Sequence, residues 1–117
     1  RFLSIILFLK NKSVVWMSGK TDVVTNGLIL ILIHNGHTLM GRITGMGCTA
    51  TAITGAFLAV NQDPLLGCAH AAVLMGIAGE IAAKKGDGPG SFKLAFIDTL
   101  YNISLNEIEE RIRVETL

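Results

Sequence analysis

An Asn-Gly pair set between two β-prone runs constrains this chain more tightly than any other feature. Val23-Val24-Thr25 leads into Asn26-Gly27, and Leu28-Ile29-Leu30-Ile31-Leu32-Ile33 follows without interruption. Asn-Gly suits the positive φ angles of a two-residue type I′ turn, so the runs are expected to pair as an antiparallel hairpin. The second run is apolar at every position, as in a strand covered on both faces. Upstream, Val14-Val15-Trp16-Met17 has the composition of another short strand, stopping at Ser18-Gly19. Residues 1–12 are expected to be the end of a helix feeding it.

Helical signals dominate the rest. After Thr44-Gly45-Met46-Gly47-Cys48 come small and apolar residues through Val60, and 49–60 fits a buried helix whose small side chains let neighbours approach. The next helix has firmer punctuation. Asp63 is placed to N-cap, Pro64 occupies the first helical position, and Lys84-Lys85-Gly86 supply basic last-turn residues and a terminal glycine. Leu65, Ala69, Ala72, Val73, Gly76 and Ile77 recur at helical spacing between them. Residues 86–90 form a loop, and Ser91 is expected to cap a helix carrying Phe92, Ala95, Phe96, Thr99 and Leu100 on one side. Ser104 and Glu107 make a capping-box pattern for a last helix over 105–112. Strands come first, then helices packed around a glycine-rich turn: an α/β chain.

Composition narrows the function classes. Apolar residues make up 50% of the 117, charged residues 16%, and formal net charge is +1. Disorder goes with low hydrophobicity and high net charge, and polyanion binding with a basic patch, so neither is indicated and no nucleic-acid partner is expected. Two cysteines, with no CxxC and no Cys/His cluster, form neither a disulfide scaffold nor a metal site, and a reducing cytoplasm is the simplest compartment. The uncharged stretch 43–62 is long enough to span a bilayer, but three glycines, four threonines, Asn61 and Gln62 dilute it. The apolar run 2–9 is too short to span. A buried α/β core is the expectation, with no membrane partner.

Chemistry points first to Gly45-Met46-Gly47-Cys48. Glycines let successive amides approach a ligand, and amides at a helix N-terminus bind phosphate oxygens. The same place favours thiolate over thiol, which would equip Cys48 to accept a proton. The plain alternative is a structural turn with a small buried cysteine. Thr44 and Arg42 beside it could reach a phosphate, or be a structural threonine and a solvated arginine. His34-Asn35-Gly36-His37 looks like a turn rather than a metal site, lacking a third ligand. Cys68, His70 and Met75 read as a core thiol, a satisfied or exposed histidine and core filling. Glu107, Glu109, Glu110, Arg111 and Arg113 read as a solvated helical face.

Taken in order, Ser18-Gly19-Lys20-Thr21-Asp22, His34-Asn35-Gly36-His37, Thr44-Gly45-Met46-Gly47-Cys48 and Gly88-Pro89-Gly90-Ser91-Phe92 resemble the hydroxyethylthiazole kinase family of the ribokinase-like superfamily. Thr-Gly-x-Gly-Cys discriminates, because ribokinase-like relatives usually carry Asp where Cys48 stands. The resemblance covers the chain from about Val14, with 1–12 matching poorly, and implies that 1–117 is a single partial domain, the C-terminal half of a thiazole kinase.

It implies ATP-dependent phosphorylation of the hydroxyl of 4-methyl-5-(2-hydroxyethyl)thiazole, in thiamine biosynthesis or salvage. Cys48 would be the general base, and the amides of Gly45, Met46, Gly47 and Cys48 the anion hole. Gly45 would contact substrate and Ser18 would contact ATP. Mg²⁺ would bridge the ATP phosphates, and the complete protein would be a homotrimer with sites at subunit boundaries. The family's further substrate, ATP and Mg²⁺ contacts lie in an N-terminal half absent here, so the alternative is a truncated non-catalytic remnant keeping part of the ligand site. A parallel sheet cut midway would expose strand edges and apolar surface.

Overall fold

Two strand pairs joined by loops of four residues can only run antiparallel, because a parallel return needs a long crossover. The computed structural model describes residues 13–117, and the helix end expected over 1–12 lies outside them. Its strands are β1 (Val15–Met17), β2 (Asp22–Thr25), β3 (Leu30–Ile33) and β4 (Val114–Thr116), in the spatial order β1-β2-β3-β4. All three pairings are antiparallel, with Val15 opposite Thr25, Asp22 opposite Ile33 and Ile31 opposite Thr116. The described sheet therefore contains no parallel pair.

The hairpin forms where the Asn-Gly signal puts it, but its turn is not the expected two-residue one. Four residues, 26–29, connect Thr25 to Leu30. Side chains build this longer loop. Asn26 Oδ1 accepts from the amides of Leu28 (3.0 Å) and Ile29 (2.9 Å). Thr25 Oγ1, fully buried, accepts from Gly27 N and donates to the Ile29 carbonyl. Only Gly27 takes the positive φ, at 88°. Leu28 is consequently 90% exposed, and the covered strand begins at Leu30 rather than at Leu28.

Four helices follow a 3₁₀ turn at Thr38–Arg42: α1 (Met46–Val60), α2 (Pro64–Lys85), α3 (Pro89–Asn102) and α4 (Leu105–Arg111). Helix α1 starts at Met46, three residues before the expected start, so the glycine-cysteine motif is itself the first helical turn. Helix α3 starts at Pro89, and Ser91 is not its N-cap. The Ser91 hydroxyl sits one turn in and reaches back to the amides of Asp87 (2.9 Å) and Gly88 (3.3 Å). Asp63 caps α2 through the Leu65 amide, and Ser104 and Glu107 exchange bonds at the start of α4, both as expected.

Helix α2 is the keel. One side packs Leu65, Ala69, Ala72, Val73, Ile77 and Ile81 against Val24, Ile31 and Ile33 of the sheet. The other packs Met75, Ala78 and Ala82 against Phe92 and Phe96 of α3, with Ala50 and Ile53 of α1 alongside. Burying a large apolar side chain stabilises by about 1.5–3 kcal/mol, which makes this two-sided seam the main source of stability. Among the described residues α2 is also the one helix long and apolar enough to cross a membrane, at mean hydropathy 1.7, and 78% of that stretch is buried inside the fold. The stretch 43–62 instead contains a helix of only 15 residues.

Candidate functional site

A cleft opens where the β1–β2 loop, the segment after β3 and the first turn of α1 converge. It encloses about 920 Å³, at the upper end of small-molecule sites, which run from roughly 300 to 1,000 Å³. Ser18–Asp22 forms one wall, His34–Thr38 and Gly41 another, and Met46, Gly47 and Ala50 of α1 a third, with Trp16, Met40, Met75 and Gly76 beneath.

Each wall is held by its own chemistry. Gly76 lets α2 pass directly under the second wall, since a Cβ there would lie 2.8 Å from the Asn35 carbonyl oxygen. Asn35, 4% exposed, is a clamp. Its amide donates to Glu80 Oε1 (3.1 Å) and the Arg111 carbonyl (2.7 Å), and its Oδ1 accepts from the Arg113 amide (2.8 Å). Glu80 Oε1 also accepts from Gly36 N and from the Arg113 guanidinium. One part-buried network thus ties the cleft wall to α2 and to the chain entering β4. His37 caps the 3₁₀ turn by accepting from the Leu39 amide, which fits the expected turn, and no group of three His, Cys, Asp or Glu among the described residues could hold a metal ion.

The 18–21 loop is tethered at both ends. Asp22 accepts from Trp16 Nε1 (3.0 Å) and from Gly19 N (2.9 Å). Burial pushes its carboxyl above the usual carboxylate range, ahead of the opposing pull of the Gly19 and Trp16 hydrogen bonds. Thr21 Oγ1 pairs with His34 Nδ1 at 3.1 Å, and His34 Nε2 pairs with Glu115 of β4 at 3.1 Å.

Gly45 precedes α1 with φ of 93°, a conformation that favours glycine, and no side chain caps the helix. The Gly45 carbonyl accepts from Thr49 N, while the amides of Met46, Gly47 and Cys48 belong to the turn that has no intrahelical acceptor. The first turn carries no acidic residue. These amides can stabilise an anion at the cleft's edge.

The structure brings Ser18, Met46 and Gly47 into the cleft wall, with Gly45 adjoining. Cys48 is exposed rather than buried, and it does not line the cleft. Two residues along a helix turn the side chain by about 200°, so the thiol faces the opposite side of the α1 terminus from Met46 and Ala50. Arg42 and Thr44 are exposed outside the cleft. Cys68 is buried, and exposed His70 meets the Phe57 ring edge-on and pairs with Asn61. Asn35, Glu80 and Asp22 were not foreseen as site-builders. Asp22 and Asn35 nonetheless stood in recognised motifs, Asp22 as a carboxylate three residues after a glycine and Asn35 as part of a turn, whereas Glu80 left no trace.

Known proteins share both sequence and shape with this chain. A family profile described as the hydroxyethylthiazole kinase family matches residues 6–106. A hydroxyethylthiazole kinase of Syntrophus aciditrophicus is 48% identical over 102 residues, covering 87% of this chain and 38% of that protein. One of Methanocella arvoryzae is 46% identical over 101 residues, covering 86% and 38%. The solved structure of a hydroxyethylthiazole kinase protein from Pyrococcus horikoshii OT3 superposes with a TM-score of 0.95 at 37% identity, over 99% of this chain and 45% of that one. The chain thus spans about two-fifths of the length of the curated relatives it matches.

Proposed function

This chain belongs to the hydroxyethylthiazole kinase family, and we propose that its cleft is the nucleotide side of a site that moves the γ-phosphate of ATP onto the hydroxyl of 4-methyl-5-(2-hydroxyethyl)thiazole, in thiamine biosynthesis or salvage. The carrying observation is the uncapped first turn of α1, which faces the cleft on one side and presents Cys48 to the open surface on the other.

ATP lies in the cleft with Ser18 on the nucleotide and its γ-phosphate at the α1 terminus. The alcohol approaches from the Cys48 side, past Gly45. Amides of Gly45, Met46, Gly47 and Cys48 take the charge that spreads over the phosphoryl oxygens as it transfers. The substrate hydroxyl gives its proton to the Cys48 sulfur, the new O–P bond forms, and the bond to the leaving ADP breaks. Mg²⁺ would enter with ATP as part of the substrate and would offset the charge of its phosphates. Asp22 is the one carboxylate among the described lining residues, and its two oxygens accept from Trp16 Nε1 and Gly19 N. The family resemblance implies a homotrimer for the complete protein, and the open Cys48 side suits completion of the site by a neighbouring subunit. A cytoplasmic location suits two unpaired cysteines. Helix α2 is read as core rather than as a membrane span, and the near-neutral charge gives no purchase for nucleic acid.

A second reading is favoured by Cys48 standing outside the cleft lining: a non-catalytic remnant that binds ligand without transferring phosphate. Incubating the purified chain with Mg·ATP and the thiazole alcohol separates the two. Phosphorylated product that falls sharply with Cys48→Ala supports the kinase. Binding without product supports the remnant, and full turnover in Cys48→Ala removes Cys48 from the mechanism.

A further inference from the structure

Most of the 18–21 loop is exposed and short, and nothing in its own backbone explains why it should hold one shape. The restraint comes from Asp22, at the start of β2, where the sheet begins. One carboxylate oxygen accepts from Gly19 N at 2.9 Å and the other from Trp16 Nε1 at 3.0 Å. The loop is thereby pinned to β1 and β2 together, with Ser18 between the two donors in sequence and in the cleft wall. At the other end Thr21 leans on His34, which Glu115 backs.

We propose that Asp22 is the positioning residue of the nucleotide site, its two-oxygen latch fixing the loop in the shape that presents Ser18 to ATP. This rests on the reading that the cleft takes Mg·ATP. Physical chemistry supports a functional rather than a stabilising role. Burial outweighs the two hydrogen bonds in setting the Asp22 carboxyl above its ordinary range, so the ionised side chain is less favourable in the fold than in water. A carboxylate is nonetheless what the geometry needs. It accepts on both oxygens, whereas an asparagine amide can accept from only one of the two donors and must point its own N–H groups at the other.

Three forms of the full chain test this by calorimetric titration with Mg·ATP, beside thermal melting and a titration with the thiazole alcohol. Asp22→Asn is expected to raise the Kd for Mg·ATP roughly ten-fold, because loop ordering must then be met from the binding energy. Its melting temperature and its affinity for the alcohol should stay near wild type. Trp16→Phe, which removes the indole N–H and trims the ring packed against the core, should weaken Mg·ATP in the same direction by a smaller factor. Trp16 is the single tryptophan, so its emission should shift in Asp22→Asn before any nucleotide is added. Unchanged Mg·ATP affinity in Asp22→Asn overturns the inference. So does a parallel loss of both ligands with a fall in melting temperature, which marks a merely structural residue. A wild-type chain that binds no Mg·ATP overturns the reading of the cleft beneath it.

Discussion

Helices α1 and α2 are both apolar and lie against each other, yet they do opposite work. None of the 15 residues of α1 is buried, while 14 of the 22 in α2 are. α1 has no charged residue, and α2 carries Glu80, Lys84 and Lys85. Apolar composition therefore does not say which helix is the core. Position does: α2 is pressed between the sheet and two helices, whereas α1 touches α2 along one face and leaves Thr51, Ala52, Gly55, Ala56 and Val60 outward. The more buried helix holds the fold, and the less buried one sets its uncapped terminus at the cleft's edge.

Four measurements can break that contrast. The largest effect should come from the α2 seam. Phe92, fully buried against α2, should cost about 3–5 kcal/mol on Phe92→Ala, as core aromatic truncations do, seen as a lower denaturation midpoint. Gly76→Ala comes next. Its Cβ would meet Asn35 backbone and side chain at 2.8 Å, so about 1–3 kcal/mol of overpacking cost is expected, together with weaker nucleotide binding as the cleft wall is displaced.

The cysteines give a smaller, chemical version of the test. Burial pushes the Cys68 thiol up from its ordinary value. A group whose folded value is raised contributes stability that is present below its unfolded value and lost as pH rises through the folded one. Alkaline titration should therefore shed some stability, and Cys68→Ala should abolish that alkaline loss. In the native chain iodoacetamide should label exposed Cys48 well before Cys68, and equal rates would mean that α2 is not the core helix. The smallest effect belongs to α1: Val60→Ser, at an 82% exposed position, should change stability by less than about 0.5 kcal/mol. A loss comparable to that of Phe92→Ala would show that the outer face of α1 is covered after all.

Local chemistry was legible where a residue acts on its own neighbours. Asp63 before Pro64 and the Ser104–Glu107 pair cap their helices as their spacing requires, and Phe92, Phe96 and Thr99 share the buried face of α3. The Asn-Gly hairpin was placed correctly, but its turn length was not, because Thr25 and Asn26 side chains build a four-residue loop that the dipeptide alone does not specify. Strand β4 carried no readable signal. Three exposed residues have no hydrophobic pattern, and they become a strand only because Ile31–Ile33 offers its free edge.

The candidate site divides the same way. The sequence by itself determined the glycine turn that opens α1, since a glycine at positive φ followed by amides without acceptors is a property of a few consecutive residues. It also determined the N-terminal caps of α2 and α4, the hairpin's place and the family. Only the tertiary structure decided that Cys48 and the cleft lie on opposite sides of the α1 terminus, that α2 rather than α1 is the core, and that Asn35, Glu80 and Arg113 meet. Those outcomes depend on groups as far as 78 residues apart, and contacts at that separation arise from packing, which no local pattern encodes.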